Sequence, residues 1–151
     1  MKKTIGLAAM CLLLISIALV SCAPAQKTIM TTDNLSVLKG TWQGFTNSEV
    51  VTGVAVLTQL VILNDNVPVQ GSVTFKNCPS ALANLIPADN KTAGDDVTIN
   101  FSEGKVSNDG TIIARSGQDI LELTYFAGEK PKIKGWFRYW AIRGTFDVTK
   151  K

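Results

Sequence analysis

Histidine is absent from the chain. That removes the Ser-His-Asp triad, the Cys-His pair and the imidazole metal ligand. The carboxylates do not fill the gap. Asp95 and Asp96 are neighbours and point to opposite faces of any extended segment. Glu103 and Glu122 are separate surface candidates, whereas glycosidase chemistry needs two carboxyl groups about 5–10 Å apart. Asn64-Asp65-Asn66 begins like a calcium loop but lacks the later ligands and the glutamate. No glycine-rich phosphate loop occurs. These residues point away from an enzyme, and no metal or cofactor is expected.

What remains is an aromatic, cationic stretch, IKGWFRYWAIRGTFDV, from Ile133 to Val148. On one straight strand Trp136, Arg138 and Trp140 would share a side. An arginine between two indoles makes a cation–π ladder, and Trp and Arg are favoured contact residues. The competing reading is a hairpin that turns near Tyr139-Trp140-Ala141. One parity then enters a core while Lys and Arg solvate the outside. The hairpin is favoured, although its turn lacks the usual Gly, Asn or Asp. The candidate ligand-binding residues are Trp42, Tyr125, Trp136, Arg138, Trp140 and Arg143, of which Trp42, Tyr125, Trp136 and Arg143 are expected near the mouth of a barrel.

The barrel follows from periodicity. From Gly40 onward apolar residues recur at every second position, the signature of strands. Val97, Ile99 and Phe101 alternate with Thr98, Asn100 and Ser102; Ile142, Gly144, Phe146 and Val148 alternate with Arg143, Thr145 and Asp147. Turn residues separate the runs. About eight strands are expected, over 40–46, 52–63, 68–75, 95–102, 110–115, 118–126, 132–139 and 142–149. Short connections favour an all-β, eight-stranded antiparallel up-and-down barrel, because closure removes exposed edges. A two-sheet sandwich is the alternative. Phe75, Phe101, Leu121, Leu123 and Phe146 form a bulky inward set, which suggests a filled interior. Residues 54–63 are apolar on both parities, so their outer face is either covered or a contact surface. The insertion 76–93 contains a short helix at 80–86 between Pro79 and Pro87, placed to cap the barrel or cover 54–63.

A unit recurs in LKGTW (38–42), VQGSV (69–73), IKGWF (133–137) and IRGTF (142–146). Glycine inside a strand costs packing, so its recurrence suggests bends or bulges. Gly40-Thr41-Trp42 and Gly144-Thr145-Phe146, over residues 38–149, resemble the opening and closing strands of lipocalin-like (calycin-type) barrels of bacterial envelopes. That resemblance implies Trp42 near one barrel end, packed with a basic residue of a late strand, for which Arg143 is the candidate. It implies hydrophobic-ligand binding or inhibition of envelope-degrading enzymes.

The N-terminus reads as a secretory signal. Met1-Lys2-Lys3 is basic, and an apolar run follows from Ile5 to Val20. That run falls short of the roughly 20 apolar residues of a membrane span. Leu19-Val20-Ser21-Cys22 resembles the lipobox of bacterial lipoproteins. The resemblance implies cleavage before Cys22 and lipid on its sulfur. Ala23, in place of an aspartate, implies the outer membrane, facing the periplasm, where the host is Gram-negative. The expected organisation is a signal peptide at 1–21, a lipidated N-terminus and tether at 22–37, and the barrel at 38–151.

The last 22 residues hold seven basic residues against Asp147 alone, a net +6, while 22–129 carries −5. Such asymmetry marks an anionic partner or a solubilised outer face. Cys78 is the sole cysteine after Cys22, and is expected to be a buried small hydrophobe. Two functions are expected. The first is a membrane-anchored, non-enzymatic binding module for a small amphipathic ligand. The alternative is a protein-interaction, scaffolding or inhibitor lipoprotein acting through the outer face of 54–63 or the basic hairpin. No nucleic-acid partner is expected.

Overall fold

A computed structural model describes residues 25–85, 94–116 and 118–151. The signal segment, Cys22 and part of the 76–93 insertion lie outside them. A two-residue strand, β1 (Gln26–Lys27), comes first. Eight longer strands follow: β2 (Gly40–Ser48), β3 (Ala55–Ile62), β4 (Val69–Phe75), β5 (Val97–Val106), β6 (Ile112–Ser116), β7 (Asp119–Ala127), β8 (Lys132–Tyr139) and β9 (Ile142–Lys150). Each pairs antiparallel with the next, and β2 pairs with β9 from Trp42↔Lys150 to Ser48↔Gly144. That last ladder closes the sheet. The molecule is an eight-stranded up-and-down barrel compatible with a lipocalin-like fold, not a two-sheet sandwich.

Inward side chains come from the period-two positions. Phe75, Phe101, Leu121, Leu123 and Phe146 are all buried. Phe75 and Phe137 have ring centroids 5.0 Å apart, and Phe137 and Phe146 6.4 Å. One of the repeated glycines, Gly71, stands at a register shift as expected, and the repeat also does something else. Gly71, Gly135 and Gly144 sit directly across from Phe101, Phe146 and Phe137. A Cβ at any of the three would press on the facing ring. Each glycine therefore makes room for the aromatic of its neighbour strand, a cross-strand pairing that fills the barrel.

Both ends of the barrel are plugged. At the lower end, where β2 begins, the chain packs earlier than the composition of 22–37 suggests. Thr28 N–H donates to the Tyr125 carbonyl at 2.9 Å, continuing from β1 along β7. Met30, Leu35 and Leu38 are buried, the last two in a 3-10 turn at Leu35–Leu38. At the upper end, helix α1 (Ser80–Ala83) turns Leu82 and Ala83 into the core beside buried Cys78. The helix therefore caps the barrel rather than covering β3. On the outside of β3, Leu57 lies across from the exposed Phe45.

The lower end also holds a carboxylate turn. The Ser107 hydroxyl, then the hydroxyl and N–H of Thr111, donate to Asp109, and Lys27 reaches it at 3.4 Å. These donors hold the Asp109 carboxyl well below the ordinary carboxylate range, Ser107 most strongly. A depressed carboxylate stabilises the fold above its unfolded pKa, and that contribution fades as pH falls toward the folded value. The Tm difference between wild type and Asp109→Asn is therefore expected to be full above about pH 5 and to shrink below about pH 4. Thermal unfolding of both proteins across that range checks it; a difference that grows in acid would overturn the assignment.

Candidate functional site

The six candidate residues, four of them expected to share a mouth, fall into separate places. Trp42 and Tyr125 lie inside the lower end, edge to face, with ring centroids 6.1 Å apart and planes at 83°. Trp42 is wholly buried, and its Nε1–H donates to the Leu38 carbonyl at 2.7 Å. The cation over its ring is Lys150, at 5.4 Å, not Arg143. Lys150 is Trp42's direct partner across the closing ladder, whereas Arg143 sits near the other end of β9.

Trp136 is on the outer wall rather than at a mouth. Its flanking partners are Glu122 on β7 and Thr145 on β9, and it borders a shallow outer depression with Lys134 and Asp147. Lys132 and Lys134 both approach Asp147, at 3.7 and 3.8 Å. No Trp136–Arg138–Trp140 ladder forms. Arg138 instead points its Nε and a terminal nitrogen at the Gln118 carbonyl, at 3.2 and 2.8 Å. Trp140 leaves the strand: Tyr139 pairs with Ile142, so Trp140 and Ala141 make a two-residue turn. Its φ is 53°, a left-handed conformation costing a bulky residue roughly 1–3 kcal/mol. The Trp140 N–H donates to Asp119 at 3.1 Å, and the indole is 63% exposed. Arg143 is exposed directly across from Arg138, two like charges side by side.

The structure brings a different set together. β5 and β6 pair only at Lys105↔Ile113 and Val106↔Ile112. Above those pairs the ladder is not continued. The cause is an irregularity in β5: Gly71 faces Phe101, yet Val69 faces Gly104, so β5 holds one extra residue against β4. Such a bulge bends its strand and ends a ladder. An apolar crevice lies along this unpaired stretch in the upper half of the barrel. Ile99 and Phe101 line one side and Ala114 the other, over a floor of Phe75, Leu121 and Phe137. Arg115, Arg138 and Asp119 stand at its rim.

Dimensions limit what enters. The crevice has a cavity volume of about 20 Å³. A second pocket of about 20 Å³ lies beneath α1, and Phe75, Phe137 and Tyr139 line both. Neither is a lipocalin-scale cavity of the several hundred Å³ that holds a whole small ligand. A slot this narrow fits one thin apolar group. Among the described residues no group of three or more acidic or cysteine side chains could hold a metal ion.

Sequence reasoning missed Ile99, Ala114 and Arg115 as site residues. One signal was present. The inward parity set by Val97, Ile99 and Phe101 switches at Gly104 and Val106, which marks the bulge. Compared with known proteins, the chain matches no family model, no curated protein and no solved structure.

Proposed function

We propose that this chain is a lipid-anchored envelope lipoprotein whose barrel is a non-enzymatic binding module for a small amphipathic ligand. The ligand's apolar part enters the crevice between β5 and β6. Its polar part, anionic or rich in oxygen, meets the guanidinium groups of Arg115 and Arg138. The observation that carries this reading is the interrupted ladder with an apolar crevice beside it, two arginines at its rim, in an otherwise filled barrel. A buried apolar chain supplies affinity at about 0.8 kcal/mol per methylene, and a charged donor orients the head. The N-terminal half of the proposal rests on the lipobox-like Leu19–Cys22 and the apolar run before it.

Titration with the anionic fluorophore anilinonaphthalene sulfonate tests the site, with decanoate as competitor. Ile99 is half-buried at the opening, so Ile99→Trp fills the slot with little change to the deeper core. It is expected to weaken binding at least tenfold, about 1.4 kcal/mol. Arg115→Glu is expected to weaken the anionic probe while leaving Tm unchanged. Binding unaltered in both variants would sink the reading. Trp140 favours the protein-interaction alternative, because a large indole held exposed in a strained turn suits a contact hot spot. Native mass spectrometry of the chain from its own envelope separates the two readings: a small-molecule adduct supports the first, a bare monomer the second.

A further inference from the structure

Four exposed aliphatic side chains gather at the lower end of the barrel. Ile29 and Leu63 are 62% and 61% exposed, and Val37 and Val67 are exposed beside them in the chain segments that close that end. Ile29 runs past Gly110 in the β5–β6 turn. Val37 lies in the 3-10 turn before β2, and its carbonyl accepts from Lys150 at 3.0 Å. Leu63 and Val67 flank the β3–β4 turn, next to the Gly40↔Ile62 pair. Among the described residues, Val50 and Trp140 are the large apolar side chains exposed in the upper-end turns, Trp140 in its strained turn, and Phe45 is exposed on the outer wall of β2.

The described chain also begins at this lower end. Ala25 leads into β1 and packs at 3.5 Å from where a Cβ on Gly128 would stand, in the turn after β7. Cys22 is three residues earlier. Fully extended, three residue steps reach about 11 Å. The nine residues of β2 rise about 30 Å along the strand, or roughly 20 Å of barrel height once tilted. A lipid on Cys22 therefore holds the lower end within about 11 Å of the bilayer, while the upper end stands roughly 20 Å farther along the barrel axis.

We infer that the lower end of the barrel is a membrane-docking face, with Ile29, Val37, Leu63 and Val67 resting in the headgroup region of the bilayer that holds the lipid. The inference rests on the lipid-anchor part of the proposed function and goes beyond it. Charge agrees with an anionic surface: Lys27, Lys39, Lys130, Lys132, Lys150 and Lys151 stand at this end against Asp33, Asp65, Asp109 and Glu129. Basic residues gain attraction near such a surface, and aliphatic side chains partition into its boundary. Docked this way, the crevice in the upper half stands off from the anchoring membrane and loads from the aqueous side.

The test uses the mature lipidated chain in vesicles of phosphatidylethanolamine and phosphatidylglycerol, doped with headgroup-spin-labelled lipid. Single labels are placed at Leu63→Cys, Val67→Cys and, for the upper end, Val50→Cys; buried Cys78 is protected from the reagent. Fluorescence from positions 63 and 67 should be quenched several-fold more than from position 50. Leu63→Ser with Ile29→Ser should reduce the quenching of a label at Val67→Cys while the protein still floats with the vesicles. Equal quenching at both ends of a floating protein overturns the docking face and leaves the anchor standing. A chain that does not float at all overturns the anchor, and the docking face with it.

Discussion

Trp42→Ala is expected to destabilise the barrel by about 4 kcal/mol, within the range for truncating a buried tryptophan, and to lower Tm by about 15 °C. Three losses combine. The indole is fully buried, so its removal gives up transfer free energy and leaves a cavity at the lower plug. Its edge-to-face contact with Tyr125 goes as well, worth about 1 kcal/mol beyond area. The Leu38 carbonyl, accepting from Nε1 at 2.7 Å, is left buried without that donor. Trp42→Phe keeps most of the ring but not the N–H, and is expected to cost about 2 kcal/mol. Circular dichroism melts with urea titration measure both. A Tm drop under about 5 °C for Trp42→Ala would show that the plug is not integral to the core. Trp42→Phe should bind anilinonaphthalene sulfonate like wild type, because Trp42 and the crevice lie in opposite halves of the barrel.

The strands were legible because one face is buried and one is wet. Inward residues such as Ile142, Phe146 and Val148 then alternate with Arg143, Thr145 and Asp147. A one-residue slip would expose the whole inward set, so the pattern is strict and readable. Closure was legible only indirectly, from the number of strands and their short turns. Of the lower plug only Trp42 was, as an aromatic near one barrel end. Met30, Leu35 and Leu38 sit in a polar segment with no period, because their burial is set by the barrel end they cover and not by a repeating backbone geometry. The glycines were visible as a repeat, yet their meaning was not. Whether Gly135 bends a strand or receives the Phe146 ring depends on which residue stands across from it, and only register tells that.

The candidate site was less legible for a related reason. Aromatic and basic residues are conspicuous in a sequence, and Trp136, Arg138, Trp140 and Arg143 drew the reading toward the last hairpin. The crevice is instead made by something missing, the pairings that β5 and β6 do not make. Its lining is ordinary core aliphatic and aromatic side chain. Arg138 connects the two views, since it belongs to the conspicuous hairpin and also stands at the crevice rim. Arg143 remains its outer neighbour and supplies positive potential rather than a contact with Trp42.

Gly44→Ala is the backbone counterpart of the tryptophan experiment, with an expected cost of about 3 kcal/mol, the upper part of the overpacking range. Gly44 lies mid-strand in β2, across from Thr58 on β3 and Val148 on β9. An added Cβ there would run into the Asp147 carbonyl oxygen and lie 2.9 Å from the Val148 Cα. Both obstacles are backbone of the strand that closes the barrel, so no rotamer relieves them. The usual gain of Gly→Ala from restricting the unfolded chain, about 0.4–1 kcal/mol, is too small to offset this. Gly135→Ala is the informative contrast. Its obstacle is the end of the Phe146 ring, a side chain, so Phe146→Leu should recover part of the loss at Gly135. Trimming Val148 to alanine should recover nothing at Gly44. Gly53, whose Cβ would meet open space at a φ of 78°, should cost only about 1–2 kcal/mol as alanine. Urea unfolding ranks the three, and hydrogen exchange locates the damage: amides of the β2–β9 ladder should lose protection in Gly44→Ala before those of β4–β5. A Gly44→Ala barrel no less stable than Gly53→Ala would mean that β2 and β9 can separate without loss, and that closure is not what holds the first and last strands together.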